Sequence, residues 1–388
     1  MAYEDNELIG LLTQLVRTQS TNPGVYESGM TEFVYSWLER ETAGCGVELY
    51  KDEALPGRSN VVACLRGEQD DSRMVMISHQ DTVPVGNGWT KDPFAAEIEG
   101  TKMYGRGSGD MKGGFAAAMY AFRNAAKSGK KPKRTLVFIA SVDEEDEMHG
   151  SMHAVESGWI RRDDWVLDTE PTGGYVIGSH KGKIWFEITT KGKPAHGSAP
   201  GMGVDAIVAM SHVVLEINKG IKACAGQSEL GPSTVCFGTI KGGVNLNIVA
   251  DTCTIEIDVR LTPPLTPEGA IKIVEDAIAV AAQQVPGASG EYKIISSKPA
   301  VVLKKDSELL SNVLDCAEKV TGTRPAVYPM PAYTDSAIAA ALAGCENALS
   351  YGPLGMNAHQ ADEWVDCESV ITISSVLDEL LSKVVFGE

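Results

Sequence analysis

The hydrophobic pattern divides the chain into two textures, and the first of them covers the first 180 residues. Apolar runs alternate there with segments of helical periodicity such as 111–129. Short runs that are apolar nearly throughout are typical of strands buried on both faces of a parallel sheet. The runs are 60–67, 73–78, 135–142 and 164–168. The alternation of such strands with helices predicts an α/β fold.

The second texture begins near residue 183 and is that of an antiparallel sheet. In 252–261, apolar and polar side chains alternate strictly, which predicts a strand with one buried face and one solvated face. Three further strand patterns and two helical patterns accompany it. The strands are 183–192, 233–240 and 291–297, and the helices are 204–219 and 267–283. Their order along the chain is that of a ferredoxin-like α+β layer.

The α/β texture returns after about residue 300. A helical pattern, an apolar run and a last helical pattern follow there, at 306–320, 346–352 and 367–384. The chain is too long for one ordinary core, so two domains are expected. We predict a larger α/β domain with a mostly parallel central sheet and a smaller α+β domain inserted into it. The larger domain comprises 1–180 and 296–388, and the inserted domain comprises 181–295.

The charge balance narrows the choice of partners. The 388 residues include 34 Lys and Arg against 52 Asp and Glu, which gives a formal net charge of −18. Nucleic acid and anionic membranes repel an acidic protein, so neither is an expected partner. The first residues carry acids where a signal peptide needs basic residues, and no window is apolar enough to span a membrane. None of the eight cysteines belongs to a CxxC pair. We therefore predict a cytoplasmic protein with free thiols.

Side chains of metal-binding type follow four of the predicted strands. His79 follows 73–78, and Glu144 and Glu145 lie in a run of five carboxylates after 135–142. The remaining junctions are 164–168 with Glu170, and 346–352 with His359 and Glu363 further along. In open α/β sheets, ligands bind beyond the carboxyl ends of the strands. The four junctions therefore predict one convergent site.

The donor types point to a class of metal. Two imidazoles and several carboxylates without a thiolate suit Zn²⁺, and also Co²⁺ or Mn²⁺. The donors are numerous enough for two ions that share a carboxylate. Asp110 is one further acid at the start of the 111–129 helix, where an aspartate by itself is usually an N-cap. Asp168 is close enough in sequence to Glu170 to be its rival as a ligand.

Seven motifs occur in the order found in the M20 metallopeptidase family, and the chain resembles that family over nearly its whole length. The motifs are HQDTVP, WTKDPF, YGRGSGDMKGG, DEE, TEPT, KGKPAHGSAPGMGVDAI and AHQADE. The family includes acetylornithine deacetylase, succinyl-diaminopimelate desuccinylase, aminoacylases and glutamate carboxypeptidases. The resemblance implies a zinc-peptidase-like catalytic domain with two metal ions and an inserted dimerisation, or lid, domain.

The resemblance also implies a set of metal ligands. His79 and Glu170 match the ligands of one metal ion, and Glu145 and His359 match those of the other. Asp110 matches the carboxylate that bridges the two ions, which replaces its interpretation as a helix cap.

Two further acids near these ligands match residues of the catalytic step. Glu144 matches the general base, which takes a proton from water and passes it to the leaving amine. Asp81, two residues after His79, matches the acid that orients this imidazole.

Four residues elsewhere match positions that contact the substrate. His196 matches a family histidine that supports the oxyanion across a dimer, and Arg260 matches an arginine that binds a free carboxylate. Periodicity alone supports an exposed strand arginine at Arg260 equally well. Asn247 resembles a substrate-contacting asparagine, with Asn245 as a close rival, and Thr334 lies in a loop predicted to line the substrate pocket.

These residues lead to one predicted activity and two alternatives. We predict a metal-dependent amidohydrolase that cleaves an amide bond beside a free carboxylate, with N-acyl amino acids as the favoured substrates. A carboxypeptidase or dipeptidase acting on short peptides would use the same site. A non-catalytic metal-binding assembly protein is the minor alternative. The resemblance further implies a homodimer formed through the inserted domain.

Overall fold

A computed structural model describes residues 3, 6–224, 226 and 229–388. The helices are α1 (Glu7–Arg17), α2 (Ser28–Glu41), α3 (Gly113–Lys127), α4 (His149–Glu156), α5 (Ala206–Ala223), α6 (Pro267–Gln284), α7 (Glu308–Thr321), α8 (Asp335–Ile338) and α9 (Cys367–Leu381). The strands are β1 (Val47–Leu55), β2 (Arg58–Leu65), β3 (Gln69–His79), β4 (Glu97–Glu99), β5 (Lys102–Tyr104), β6 (Arg134–Ser141), β7 (Trp165–Asp168), β8 (Val176–His180), β9 (Gly182–Lys191), β10 (Thr234–Gly242), β11 (Thr252–Leu261), β12 (Ser289–Lys298), β13 (Val327–Met330), β14 (Asn347–Ser350), β15 (Gly355–Met356) and β16 (Trp364–Asp366).

The chain forms two compact units. The first unit comprises 1–179, 302–328 and 333–388, and the second comprises 180–301 and 329–332. The second unit is thus a nearly continuous segment that interrupts the first. The second unit also includes residues 329–332, from a later part of the chain. No local sequence pattern predicts that these residues belong to it.

The first unit contains the sheet that positions the site. Within the described residues the strand order is β1-β2-β6-β3-β7-β14-β8-β13. The four central strands β6, β3, β7 and β14 are parallel to one another. Their carboxyl ends therefore meet at one edge of the sheet, as the α/β pattern predicts.

The strand at 60–67 differs from its expected orientation. β2 is antiparallel to both β1 and β6, although its apolar sequence is typical of a parallel strand. The reason is that Val61–Leu65 is buried on both faces, and burial rather than strand direction selects the apolar residues. The apolar pattern therefore predicts the burial of β2 correctly, and its prediction of the direction of this strand is wrong.

Helix α1, near the start of the chain, has one apolar face. Asn6 caps it, since its side-chain oxygen accepts hydrogen bonds from the backbone amides of Leu8 and Ile9. Leu12 and Leu15 on the same helix are fully buried. They belong to the main core of the first unit, which also takes in apolar residues of α3 and α9. This core supports one face of the sheet and leaves the ends of the parallel strands to polar residues.

The second unit has the predicted ferredoxin-like topology. Its strand order is β10-β11-β9-β12, and every neighbouring pair is antiparallel. The alternating side chains of β11 have one buried row, which packs with apolar residues of α5 and α6. Strand β10 lies at one edge of this sheet and is largely exposed.

A third, small sheet adjoins the two loops that contain residues near 110 and near 360. Its order is β15-β16-β5-β4, with antiparallel pairing throughout. Its strands are two or three residues long, too short for a periodic signal, and the sequence pattern did not predict them. The sheet is nevertheless important, because it places residues near 110 beside residues near 360.

Two negative findings concern the described part of the chain. No helix there combines the length and the apolar character that a membrane crossing requires. All eight cysteines lie in this part, and all are free thiols, as the sequence predicts.

Candidate metal centre

The parallel strands bring the candidate ligands to one edge of the sheet. His79 is the last residue of β3, and the Glu144–Glu145 pair follows β6. Glu170 comes two residues after β7, which is the other neighbour of β3. His359 arrives from the loop between β15 and β16, where its backbone has a φ of 63°.

Asp110 lies between the two histidines. One of its carboxylate oxygens is 3.2 Å from Nε2 of His79, and the other is 3.4 Å from Nε2 of His359. A carboxylate whose two oxygens face two different ligand groups has the geometry that a bridging ligand needs.

The two glutamates divide between the two histidines. Oε1 of Glu170 is 3.8 Å from Nε2 of His79, and Oε2 of Glu145 is 2.9 Å from Nε2 of His359. The backbone amide of Val83 also donates to Glu145, at 3.3 Å. The geometry therefore yields two half-sites, one on each side of Asp110.

Two groups of three donors within the described residues are compact enough to hold an ion. One consists of His79, Asp110 and Glu145, and the other of His79, Glu144 and Glu170. The ligand atoms of each group lie within 4.8 Å of one another. These groups include Glu144 and omit His359, so the assignment of Glu144 as a base and of His359 as a ligand follows from the resemblance and from the contacts of His359 with Asp110 and Glu145.

Asp81 contacts the site differently from the sequence-based expectation. Nδ1 of His79 is 2.9 Å from the main-chain carbonyl oxygen of Asp81, whereas the Asp81 carboxylate is 3.6 Å away. That carboxylate instead accepts hydrogen bonds from the backbone amides of Glu144 and Glu145, at 3.1 and 3.2 Å. Asp81 therefore holds both the imidazole, through its carbonyl group, and the acidic turn, through its side chain.

Asn22, for which no sequence pattern suggested a role, supports the same turn. Its side-chain amide donates to the carboxylates of Asp81 and Asp143, at 2.9 and 3.0 Å. Arg58 also pairs with Asp143, at 2.9 Å. Asp143 is consequently a structural acid at the end of β6, and Asp146 is exposed, as their places in the acidic run suggest.

The ionisation of the site reflects crowding of buried carboxylates. Burial raises the pKa of Glu144, Glu145 and Glu170 above the usual range, and the neighbouring charge of Asp110 adds to the effect at each of them. Although burial acts in the opposite direction, hydrogen bonds from both histidines hold the pKa of Asp110 well below its usual value. Hydrogen bonds to Asp110 and Glu145 raise the pKa of His359 to about 10.

The donor set fits a pair of divalent cations. Buried carboxylates that raise one another's pKa are costly without a compensating charge, and a cation offsets their repulsion. Imidazole nitrogen and carboxylate oxygen are the donors that catalytic zinc takes in proteins. His79, Asp110, Glu145, Glu170 and His359 would hold the ions.

Asp168 and Glu363, which the sequence offered as further ligands, belong to other contacts. Asp168 accepts a hydrogen bond from the backbone amide of Ser336, at 3.3 Å. Glu363 accepts hydrogen bonds from backbone amides of the turn that carries Asp110. Neither acid is part of a three-donor group within the described residues.

Three residues expected to contact substrate belong to the second unit. His196 is exposed, and its Nδ1 is 2.8 Å from Oγ of Ser198. The loop of His196 meets the loop of Asn247 through a hydrogen bond from the amide of Gly197 to the carbonyl of Asn247, at 2.7 Å. Arg260 is half-buried and pairs with Asp258 at 3.0 Å.

The fourth expected contact residue, Thr334, belongs to the first unit. It is buried, and its hydroxyl group contacts those of Ser336 and Ser350 at 2.9 and 3.3 Å. This hydroxyl is thus engaged in a buried cluster beside Asp168.

Known proteins resemble the chain in sequence and in fold. Residues 75–383 match peptidase family M20/M25/M40. An acetylornithine deacetylase of Photorhabdus laumondii is 29% identical over 386 residues, covering 96% of each chain. A tripeptidase of Staphylococcus aureus has a TM-score of 0.79 at 20% identity, over 97% of each chain. A dinuclear metal-binding M20 peptidase of Bacillus subtilis has a TM-score of 0.72 at 20% identity, over 98% of each chain.

Proposed function

The chain belongs to peptidase family M20/M25/M40 and is a metal-dependent hydrolase of amide bonds, and on that premise we propose that it deacylates N-acyl amino acids. The observation that carries the proposal is the pair of half-sites on either side of Asp110. The preference for deacylation is supported by the acetylornithine deacetylase, which is similar over 96% of the chain. Membership of a hydrolase family speaks against the alternative of a non-catalytic assembly protein.

The proposed site holds two ions, with Zn²⁺ favoured over Co²⁺ and Mn²⁺. Divalent ions at such a site supply Lewis-acid polarisation of a carbonyl group and acidify water. His79 and Glu170 would hold one ion and Glu145 and His359 the other, with Asp110 as a ligand available to both. The contact of the Asp81 carbonyl group with the His79 imidazole and the hydrogen bond from the Glu145 amide to the Asp81 carboxylate keep these donors in place.

Glu144 is the proton carrier in the proposed reaction. Its carboxylate takes a proton from the attacking water and delivers it to the nitrogen of the leaving amine. Burial, which raises the pKa of Glu144, brings its proton affinity closer to what this transfer requires. The adjacent Glu145 points to His359, so neighbouring carboxylates serve two different tasks.

In this proposal, each residue predicted to contact the substrate has its own role. Arg260 binds the free carboxylate of the amino acid with two parallel hydrogen bonds, which requires its guanidinium group to leave Asp258. His196 donates to the oxyanion, Asn247 contacts the substrate, and Thr334 shapes the wall of the pocket. His196 acts from the second subunit of a homodimer formed through the second unit.

A substrate panel tests this function. The metal-loaded protein is assayed with N-acetyl and N-succinyl amino acids, with dipeptides and tripeptides, and with N-acetyl amino acid amides that lack the free carboxylate. We expect the highest kcat/KM for an acyl amino acid and a large loss when its carboxylate is blocked. If every peptide outperforms every acyl amino acid, the protein is a peptidase and the deacylase proposal is wrong.

A further inference from the structure

Glu363 and Arg106 form a buried pair beside the metal centre that none of the assigned roles explains. Both side chains are about 1% exposed, and the guanidinium group of Arg106 donates to Oε2 of Glu363. We propose that Glu363 is a positioning residue, whose carboxylate fixes the turn that carries Asp110. This inference rests on the proposed function, because it concerns the geometry of the same metal site.

The carboxylate of Glu363 holds the backbone of this turn at three points. Oε1 accepts hydrogen bonds from the amides of Gly109 and Asp110, each at 2.9 Å. Oε2 accepts one from the amide of Gly107 at 3.0 Å, in addition to the bond from Arg106. A carboxylate offers about four acceptor positions, so these four donors saturate it. Glu363 therefore acts on the metal site through the backbone and not as a ligand.

The same pair holds the loop that carries His359. The second terminal nitrogen of Arg106 donates to the carbonyl oxygens of Gln360 and Val85, both at 3.1 Å. The backbone carbonyl of Glu363 accepts from the amide of Gly105 at 2.9 Å. The Arg106–Glu363 pair therefore makes hydrogen bonds to residues around the turn and to the residue next to His359.

The turn itself has little freedom to shift without this support. Gly107 has a φ of 78°, and a side chain there would meet Cγ2 of Thr82 at 2.3 Å. Its backbone is consequently close-packed as well as hydrogen-bonded. Asp110 contacts both His79 and His359 from this backbone position, and the amide of Asp110 donates directly to Glu363. A shift of a few tenths of an ångström at Asp110 alters both half-sites together.

The test variant is Glu363→Gln, which keeps the shape of the side chain but replaces one acceptor oxygen by a donor. The matched control is Asp164→Asn. Asp164 forms an equally buried pair with Arg73, accepts from the backbone amides of Arg73 and Arg161, and precedes β7, at the opposite end of that strand from Glu170. Both variants remove one acceptor from a buried arginine–carboxylate pair, so a general loss of stability affects both.

Two measurements distinguish positioning from a structural role. Zn²⁺ affinity is determined by competition with a chelator, and the visible absorption spectrum of the Co²⁺-loaded protein reports ligand geometry. We expect Glu363→Gln to bind Zn²⁺ about 10–100-fold more weakly and to change the Co²⁺ spectrum, as loss of supporting hydrogen bonds does in other metal sites. Asp164→Asn keeps wild-type affinity and spectrum. Equal affinity and identical spectra in the two variants overturn the inference.

A second variant covers the case in which Glu363→Gln does not fold. Arg106→Lys keeps the positive charge but loses the contacts with Val85 and Gln360, and we expect a smaller fall in Zn²⁺ affinity. Unchanged affinity in this variant argues against the proposed pair. The substrate panel on the wild-type protein separates the proposed function from the proposed role of Glu363. A wild-type protein that binds metal but deacylates no substrate refutes the function. The Zn²⁺ affinities of the variants can still be compared in that case.

Discussion

At the scale of single residues, adjacent side chains in the acidic run have separate environments. Glu145 contacts His359, Asp143 pairs with Arg58, and Asp146 is exposed. The carboxylate of Asp81 accepts from the amides of Glu144 and Glu145 and so fixes the turn on which these directions depend. Five consecutive charges are compatible with folding because Asp143 and Glu145 have different partners and Asp146 is exposed to solvent.

Glu144→Gln tests the role of the base. The amide cannot accept the proton of water, so we expect kcat to fall by about 10²–10⁴-fold, while the bound metal content stays the same. Activity is measured under steady-state conditions and metal content by elemental analysis. Asp146→Asn removes a charge from the same run and serves as the control, with activity expected at the wild-type level. A Glu144→Gln variant with full activity would contradict the mechanism.

At the scale of elements, helix α3 lies unusually close to the segment after β7. A Cβ atom at Gly114 would be 1.8 Å from the carbonyl oxygen of Thr169, the residue before Glu170. The glycine thus permits a backbone contact that positions a metal ligand. The need for such a close approach arises only in the tertiary structure. The two glycines at the end of the motif YGRGSGDMKGG show where in the sequence it occurs, but not why.

Gly114→Ala tests this contact, with Gly10→Ala as its control. The methyl group at 114 forces backbone to move, so we expect the free energy of unfolding to fall by about 1–3 kcal/mol and metal affinity to fall with it. Gly10 is an exposed residue of α1 with no atom within 4 Å of an added Cβ. There we expect a gain of about 0.5–1 kcal/mol, because alanine favours the helix. Denaturant unfolding measures both, and a neutral Gly114→Ala would refute the contact's importance.

At the scale of the whole molecule, the second unit carries apolar side chains that are exposed on an edge strand and on a helix. Ile240 on the edge strand β10 and Leu215 on α5 are each 63% exposed. An edge strand presents unpaired amide and carbonyl groups, and with apolar side chains it is a ready pairing surface. These features support the proposed homodimer through this unit.

The double variant Ile240→Lys with Leu215→Lys tests the dimer. Charges of the same sign on both copies of a self-complementary surface repel, so we expect the wild-type protein to sediment as a dimer and the variant as a monomer. Val320→Lys adds a charge at a partly exposed apolar residue of the first unit and is expected to leave the dimer intact. A fully active wild-type monomer would remove the role of His196 across subunits.

Much of the fold follows from local pattern, because periodicity reports burial directly. The apolar runs became β2, β3, β6 and β7, and the alternating run became β11. Strand direction, the small sheet and the detached residues 329–332 of the second unit did not follow, since they depend on neighbours distant in sequence.

The sequence alone indicated the types and order of the candidate metal-binding residues, because His79, Glu145 and Glu170 lie at or just beyond the ends of parallel strands that meet at one edge of the sheet. Only the tertiary structure decided how each donor is used. It directed the two oxygens of Asp110 to different histidines and turned the carboxylate of Asp81 to the acidic turn. It also made Glu363 a support for the backbone. The physical reason is that a carboxylate takes its role from the donors and charges around it, and folding brings these together from distant parts of the chain.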